Sequence, residues 1–273
     1  MESQSDLYGA DMQVNINGIE TRYVLDNEGG GPWLTFIHPL AGDLSAWDQM
    51  AGYFRNDFTV LRYDLRGHGY TAVSPEAFSV DDLADDLSEL LDKLGAPSTH
   101  VVGLSLGGMV AQKFAINHAD KVDSLTVVGA PAFIREEARS TFLQRAASVR
   151  QNGIGSMVES TMARWFTEGF RKAHPEVIEQ IGETIARTPD EGFAKAAEAL
   201  SRFDAKSQLA SIQKRTLVVA GEHDNGTPHA ESKVIADTVP GAQFELLDAA
   251  HMSPIEASQR FCALLDAFLR EAA

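Results

Sequence analysis

Three side chains of this 273-residue chain form a candidate chemical unit: Ser105, Asp224 and His251. Ser105 is the centre of Gly103-Leu104-Ser105-Leu106-Gly107, a G-x-S-x-G pattern. The pattern alone is weak, because glycine and serine are common. Its flanks say more. Thr99-His100-Val101-Val102 leads in as a strand, and Gly108-Met109-Val110-Ala111-Gln112 leads out as a helix. So tight a strand-to-helix turn forces strained backbone on the serine, and small neighbours let other chain approach. It also lifts the hydroxyl to a helix N-terminus, where free N–H groups stabilise negative charge. A purely structural turn is the competing reading.

A serine hydroxyl needs a base before it attacks anything. His251, in Asp248-Ala249-Ala250-His251-Met252, follows an expected strand at Gln243–Leu247. A carboxylate must then hold the imidazole tautomer and stabilise its cation. Asp224, in Gly221-Glu222-His223-Asp224-Asn225-Gly226-Thr227, follows an expected strand at 216–220. Glu222 comes too soon after that strand to reach across. Asp248 sits so near His251 that turn-shaping suits it better. Asp224 is therefore the expected acid, and nucleophile, acid and base fall in that chain order. An oxyanion would need two N–H donors. Leu106 supplies one from its backbone. The other falls in His38-Pro39-Leu40-Ala41-Gly42, where Pro39 has no N–H and Leu40 is the expected donor. The His38 side chain either buttresses this loop or faces substrate, and both readings stay open.

Such convergence requires a sheet. Residues 12–16 and 20–25 flank Asn17-Gly18, a hairpin signal. Apolar runs at Trp33–Ile37 and 58–63 read as buried strands, with a helix over 45–55 between them. Then come a helix at Val80–Leu94 closed by Gly95, a strand at 100–103, a helix at 106–118 and a strand at 125–128. Strands at 216–220 and Gln243–Leu247 and a helix at 254–270 complete the series. The alternation predicts an α/β fold with a mostly parallel sheet covered on both faces. From 133 to 206 the pattern is helical, punctuated into about four short helices. The expected organisation is a core of 1–132 and 207–273 with a helical lid of 133–206 inserted over the strands' C-terminal ends.

Composition narrows the chemistry. The 23 basic and 39 acidic residues give a net charge of −16, which repels nucleic acid and anionic membrane surfaces. An anionic substrate would therefore need local arginines. No apolar run nears the roughly 18–20 residues of a membrane span. The start Met1-Glu2-Ser3-Gln4-Ser5-Asp6 is polar rather than signal-like, and one cysteine, Cys262, allows no internal disulfide. A cytoplasmic location is expected. His223 and His229 lack a third ligand at metal-binding spacing, and Gly29-Gly30-Gly31-Pro32 lacks the lysine and helix of a phosphate loop. His68 reads as part of a loop shaping the site's base. The expected chemistry calls for neither metal nor cofactor, with a small-molecule ester or lactone as the partner.

The chain resembles the 3-oxoadipate enol-lactonases of the α/β-hydrolase superfamily, nearly end to end. The elbow, Leu61-Arg62-Tyr63-Asp64-Leu65-Arg66-Gly67-His68-Gly69 and Ala249-Ala250-His251 are shared with many esterases. Arg164-Trp165-Phe166-Thr167 and Phe203-Asp204 are more selective. The resemblance implies an α/β-hydrolase fold and acyl-enzyme hydrolysis of an enol-lactone in aromatic-compound catabolism. Such a substrate carries a carboxylate. Arg135 matches a basic position there, Arg145 and Arg164 are secondary candidates, and Trp165 joins them among the expected substrate-binding residues. Two departures touch the pocket: His38-Pro39-Leu40-Ala41 stands where Asn-Ser-Leu-Gly is usual, and the region near Phe142 lacks an expected tryptophan. A broad carboxylesterase, a perhydrolase or a carbon–carbon bond hydrolase could use the same three residues. A non-catalytic ligand-binding protein on this scaffold is the rival from another class. Dehalogenases and epoxide hydrolases carry aspartate where this chain has Ser105.

Overall fold

A computed structural model describes residues 9–26 and 30–271, so Met1–Asp6 and Gly29 lie outside the described residues. Eight strands form one sheet in the order β1-β2-β4-β3-β5-β6-β7-β8. They are β1 (Asp11–Ile16), β2 (Ile19–Asp26), β3 (Trp33–Ile37), β4 (Thr59–Tyr63), β5 (Thr99–Leu104), β6 (Val122–Val128), β7 (Arg215–Gly221) and β8 (Gln243–Leu247). The first two run antiparallel to their neighbours and every later pairing is parallel. Asn17 and Gly18 both take positive φ, which brings Ile16 opposite Ile19 as the hairpin signal predicts.

Apolar side chains on successive residues of the central strands feed two separate cores. Ile37 and Val101 join Leu83, Leu87, Leu90 and Phe114 on one face, while Phe36 and Val102 join Trp47, Phe54, Phe261 and Leu265 on the other. The first face is covered by α2 (Val80–Leu94) and α3 (Leu106–Asn117), the second by α1 (Asp48–Phe54) and α11 (Ser258–Arg270). Ser79 and Asp82 form a capping box at the start of α2, and Gly95 ends it at φ 71°. No helix among the described residues is long and apolar enough to cross a membrane.

Three elements differ from expectation. The helix expected over 45–55 begins as a 3₁₀ turn, Leu44–Trp47, because Asp43 caps it by accepting from Ser45 N–H. The last helix divides at Ala257 into α10 (Ser253–Glu256) and α11. An unforeseen α9 (His229–Thr238) connects β7 to β8; only Ser232 and Ile235 of it are buried, too few to mark a helical face.

Between β6 and β7 lie five helices rather than four: α4 (Glu136–Asn152), α5 (Val158–Trp165), α6 (Glu168–Ala173), α7 (Pro175–Arg187) and α8 (Asp190–Ser201). An isolated antiparallel bridge, Phe133 with Asp204, closes this insertion at its base. α4 packs on α8, where Arg150 meets Glu191 and Glu198. Lys195 of α8 donates to the Ser74 and Pro75 carbonyls of the core at 2.7 and 2.9 Å.

Candidate active site

β5 ends at Leu104, and Ser105 turns the chain into α3 with φ 56° and ψ −114°, a conformation costly for any residue with a Cβ. Its N–H donates to Val128 O at 2.8 Å, and its carbonyl accepts from Met109 N–H at 3.0 Å. The flanking glycine is a steric requirement. A Cβ on Gly107 would stand 2.2 Å from the Ile37 carbonyl oxygen. Nucleophile elbow and β3 loop are thus in backbone contact, as an oxyanion pocket built from both requires.

β7 delivers Asp224 and β8 delivers His251. Both side chains are buried, and His251 Nδ1 lies 2.6 Å from Asp224 Oδ2. The other Asp224 oxygen accepts the N–H groups of Gly226 and Thr227, each at 2.8 Å. One carboxylate therefore shapes its own loop and fixes the imidazole. An ionised carboxylate only accepts, so the ring donates from Nδ1 and Nε2 is left as the acceptor. Of the three candidate acids, Asp224 alone meets this ring. Asp248 instead accepts from His223 at 2.7 Å, on the exposed side of the two loops. Glu222 shares that exposed side.

Ser105 and His251 line the same cavity, of about 250 Å³, together with Leu40, Trp165, Arg145 and Arg164. No hydrogen bond joins the Ser105 hydroxyl to the His251 ring. Such bonds are often long before substrate arrives. The N–H groups of Leu40 and Leu106 have no acceptor within the described protein, as oxyanion donors must. Chemically, the arrangement offers an alcohol at a helix N-terminus, an oriented base and two unused donors.

The remaining expected residues divide. His38 is corrected: it is wholly buried and absent from the cavity wall. Its Nδ1 bonds to Pro39 O at 2.8 Å and its Nε2 to Leu65 N–H at 2.9 Å. Burial lowers its pKa, so it is a neutral buttress under the Leu40 loop. His68 packs beside it, ring centres 5.3 Å apart and planes tilted by 49°, with burial pushing its pKa down to about 3. Arg135 reaches the cavity mouth, but its exposed guanidinium is paired with Glu231 of α9. Arg145 and Arg164 line the same cavity. Those two are half-buried, and neither makes an ion pair among the described residues. Burial, then the Arg164 charge, pushes the Arg145 guanidinium down to about 10. Burial lowers Arg164 as well, against the opposing pull of the Asp224 charge. Trp165 is buried with its ring 6.4 Å from that of His251. Phe133, Met157 and Phe193, unforeseen from sequence, complete the apolar wall, and nothing in their local spacing marks them.

Residues 32–258 match the family described as alpha/beta hydrolase fold, and the chain belongs to that family. It is thereby placed among the hydrolases. Among its relatives are two 3-oxoadipate enol-lactonases of Acinetobacter baylyi, each 31% identical. The alignments cover 94% and 96% of this chain and 96% and 94% of those proteins. The crystal structure of an enol-lactonase from Burkholderia xenovorans superposes with a TM-score of 0.92 at 30% identity, covering 95% of this chain and all of that one. An esterase from Thermogutta terrifontis, solved with malate bound, gives 0.89 at 30% identity over 96% of this chain and 99% of its own.

Proposed function

We propose that this protein is a serine hydrolase acting on small carboxylate-bearing lactones or esters, of the 3-oxoadipate enol-lactone type, in the breakdown of aromatic compounds. One observation carries the anionic substrate: Arg145 and Arg164, neither in an ion pair among the described residues, share a cavity with Ser105 and His251 in a chain of net charge −16. Two like charges held half-buried are costly unless a counter-ion joins them. The enol-lactonase relatives support the same reading, as does the esterase solved with a dicarboxylate. The cavity is smaller than the roughly 300–1,000 Å³ of drug-sized sites, which favours a compact substrate over a long acyl chain.

In the proposed cycle the substrate carboxylate docks on the arginine pair, and Ser105 Oγ attacks the lactone carbonyl as its proton passes to His251 Nε2. Leu40 and Leu106 N–H groups hold the oxyanion. Collapse breaks the ring C–O bond, and His251 returns the proton to the departing enol oxygen. The opened chain stays on Ser105 as an acyl ester. Water, deprotonated by His251, then releases the acid and restores the serine. The lid is the helical insertion, 133–206 on the core of 1–132 and 207–273, and it supplies selectivity while the sheet edge supplies the reaction. A hydrolysis screen of p-nitrophenyl esters, simple lactones and carboxymethyl-substituted enol-lactones tests this. Preference for the last is expected; preference for neutral acyl esters would overturn the substrate assignment.

A further inference from the structure

Outside the residues assigned above, one carboxylate is bonded to both sides of the site. Glu256, at the end of α10, is half-buried and makes no ion pair among the described residues. Uncharged donors satisfy it instead. Its Oε2 accepts the Ala250 N–H at 2.9 Å, beside His251. Its Oε1 accepts the Thr167 hydroxyl, and the Thr167 N–H is shared between the two oxygens at 3.2 and 3.3 Å. Thr167 belongs to the lid, where its hydroxyl also caps α6 through Phe170 N–H at 3.2 Å. On the other flank of His251, Met252 N–H donates to the Trp165 carbonyl at 2.9 Å. Both neighbours of His251 are therefore tied, directly or through Glu256, to the segment Trp165 to Thr167.

We infer that Glu256 is the positioning residue that couples the lid to His251. Asp224 fixes how the imidazole is turned about Nδ1; Glu256 fixes where the backbone carrying that imidazole stands. A carboxylate suits the task, because bonds from neutral donors to an ionised acceptor are about twice as strong as neutral ones. An amide does not. With one accepting oxygen, Gln can keep the Ala250 arm only by turning its NH₂ toward the Thr167 N–H.

The inference rests on His251 being the general base, and the experiment separates the two. Steady-state hydrolysis of p-nitrophenyl acetate, a neutral probe, is measured for the wild type, Ser105→Ala, Glu256→Ala, Glu256→Gln and Thr167→Val. Displacing a catalytic group by about 1 Å costs up to about 100-fold. The expected result for Glu256→Ala is a kcat lower by about 10- to 100-fold with KM nearly unchanged. Glu256→Gln should recover part of that loss, and Thr167→Val, which removes the hydroxyl bond but keeps the Thr167 N–H on Glu256, should show a smaller fall in kcat. If Glu256→Ala does not fold, the other two variants decide. Wild-type kcat in the folded variants, with only a lowered Tm, would make Glu256 merely structural and overturn the inference. Retained turnover in Ser105→Ala would instead overturn the hydrolase mechanism itself.

Discussion

The sheet edge and the lid hold their polar groups in opposite ways. At the edge each proposed catalytic side chain stands at a strand end or in the loop just beyond one, and the loop backbone is bonded in place: Ser105 to Val128, Glu222 to Leu247, His223 to Ala249. The edge carboxylate Asp224 is saturated, with two N–H groups and an imidazole on its oxygens. In the lid, helices are held by packing and by peripheral ion pairs such as Arg150 with Glu191. Its two pocket arginines make no ion pair among the described residues, and only Arg164 feels an opposite charge, that of Asp224. A site completed within the protein suits a fixed reaction, whereas an uncompensated one waits for a ligand. The difference fits the proposed division, with chemistry at the edge and selectivity in the lid.

The largest expected effects break the edge. Ser105→Ala should leave a folded protein whose turnover falls by at least about 10⁴-fold, and Asp224→Asn, which presents the wrong partner to His251 Nδ1, should come close to it. Labelling by a serine-directed fluorophosphonate should vanish in the first variant. Persisting turnover would sink the assignment of the nucleophile.

A lid change should cost less and in a different parameter. Arg145→Met keeps bulk and removes charge. For a carboxylate-bearing lactone, KM should rise about 10- to 100-fold, the roughly 1.5–3 kcal/mol of a charge-assisted bond. For p-nitrophenyl acetate it should barely move. Arg164→Met should act in the same sense, and Arg135→Met less, since Glu231 already occupies that charge. Equal losses on charged and neutral substrates would erase the division between the two regions.

The same contrast explains what was legible in the sequence. Strand, tight turn and helix around Ser105 are local, and the acid and base lie one loop beyond recognisable strands, so the edge could be read. Arg145 and Arg164 meet only because α4 and α5 converge on one cavity, and no spacing encodes that. Arg135, favoured through a family resemblance, lines the cavity but is paired with Glu231, which stands on a helix that was itself unforeseen. His38 illustrates the converse. Its type suggested contact with substrate, yet the chain turns it back onto Leu65. Glu256 carries no signal, because its partners come from both the lid and the His251 loop.

Beneath the edge, the neutral His38–His68 pair gives a stability test. The unfolded chain protonates His68 near its ordinary 6.5, while the folded chain resists until about 3. More protons bind to the unfolded state between those values, so stability is whole above about pH 6.5 and declines as pH falls toward 3. The decline from this residue is about 2 kcal/mol by pH 5. Burial raises Asp64, which works the other way, so the quantity to measure is the difference from His68→Asn. Denaturant unfolding at pH 7 and pH 5 should show the variant losing less than the wild type. Parallel losses would mean that His68 is protonated in the fold.

The smallest effect expected lies where lid and edge meet. Trp165 and Ala41 line both the reaction cavity and a second one, of about 510 Å³, which also borders Asp43, Asp48 and Gln180. Ala41 sits at φ 64°, where a larger β-branched residue would be strained, so the adjustable part of this wall is the indole. Trp165→Ala should merge the two spaces and admit longer acyl chains. The carbonyl that anchors Met252 belongs to the backbone and survives the change, so His251 should keep that tie. The ratio of p-nitrophenyl octanoate to acetate hydrolysis should therefore rise about tenfold, or about 1.4 kcal/mol, with the acetate kcat little altered. An unchanged ratio in a folded variant would show that chain length is limited elsewhere. A collapse of the acetate kcat would mean that the indole, and not only its backbone, holds the base, which would move Trp165 from the selective region to the chemical one.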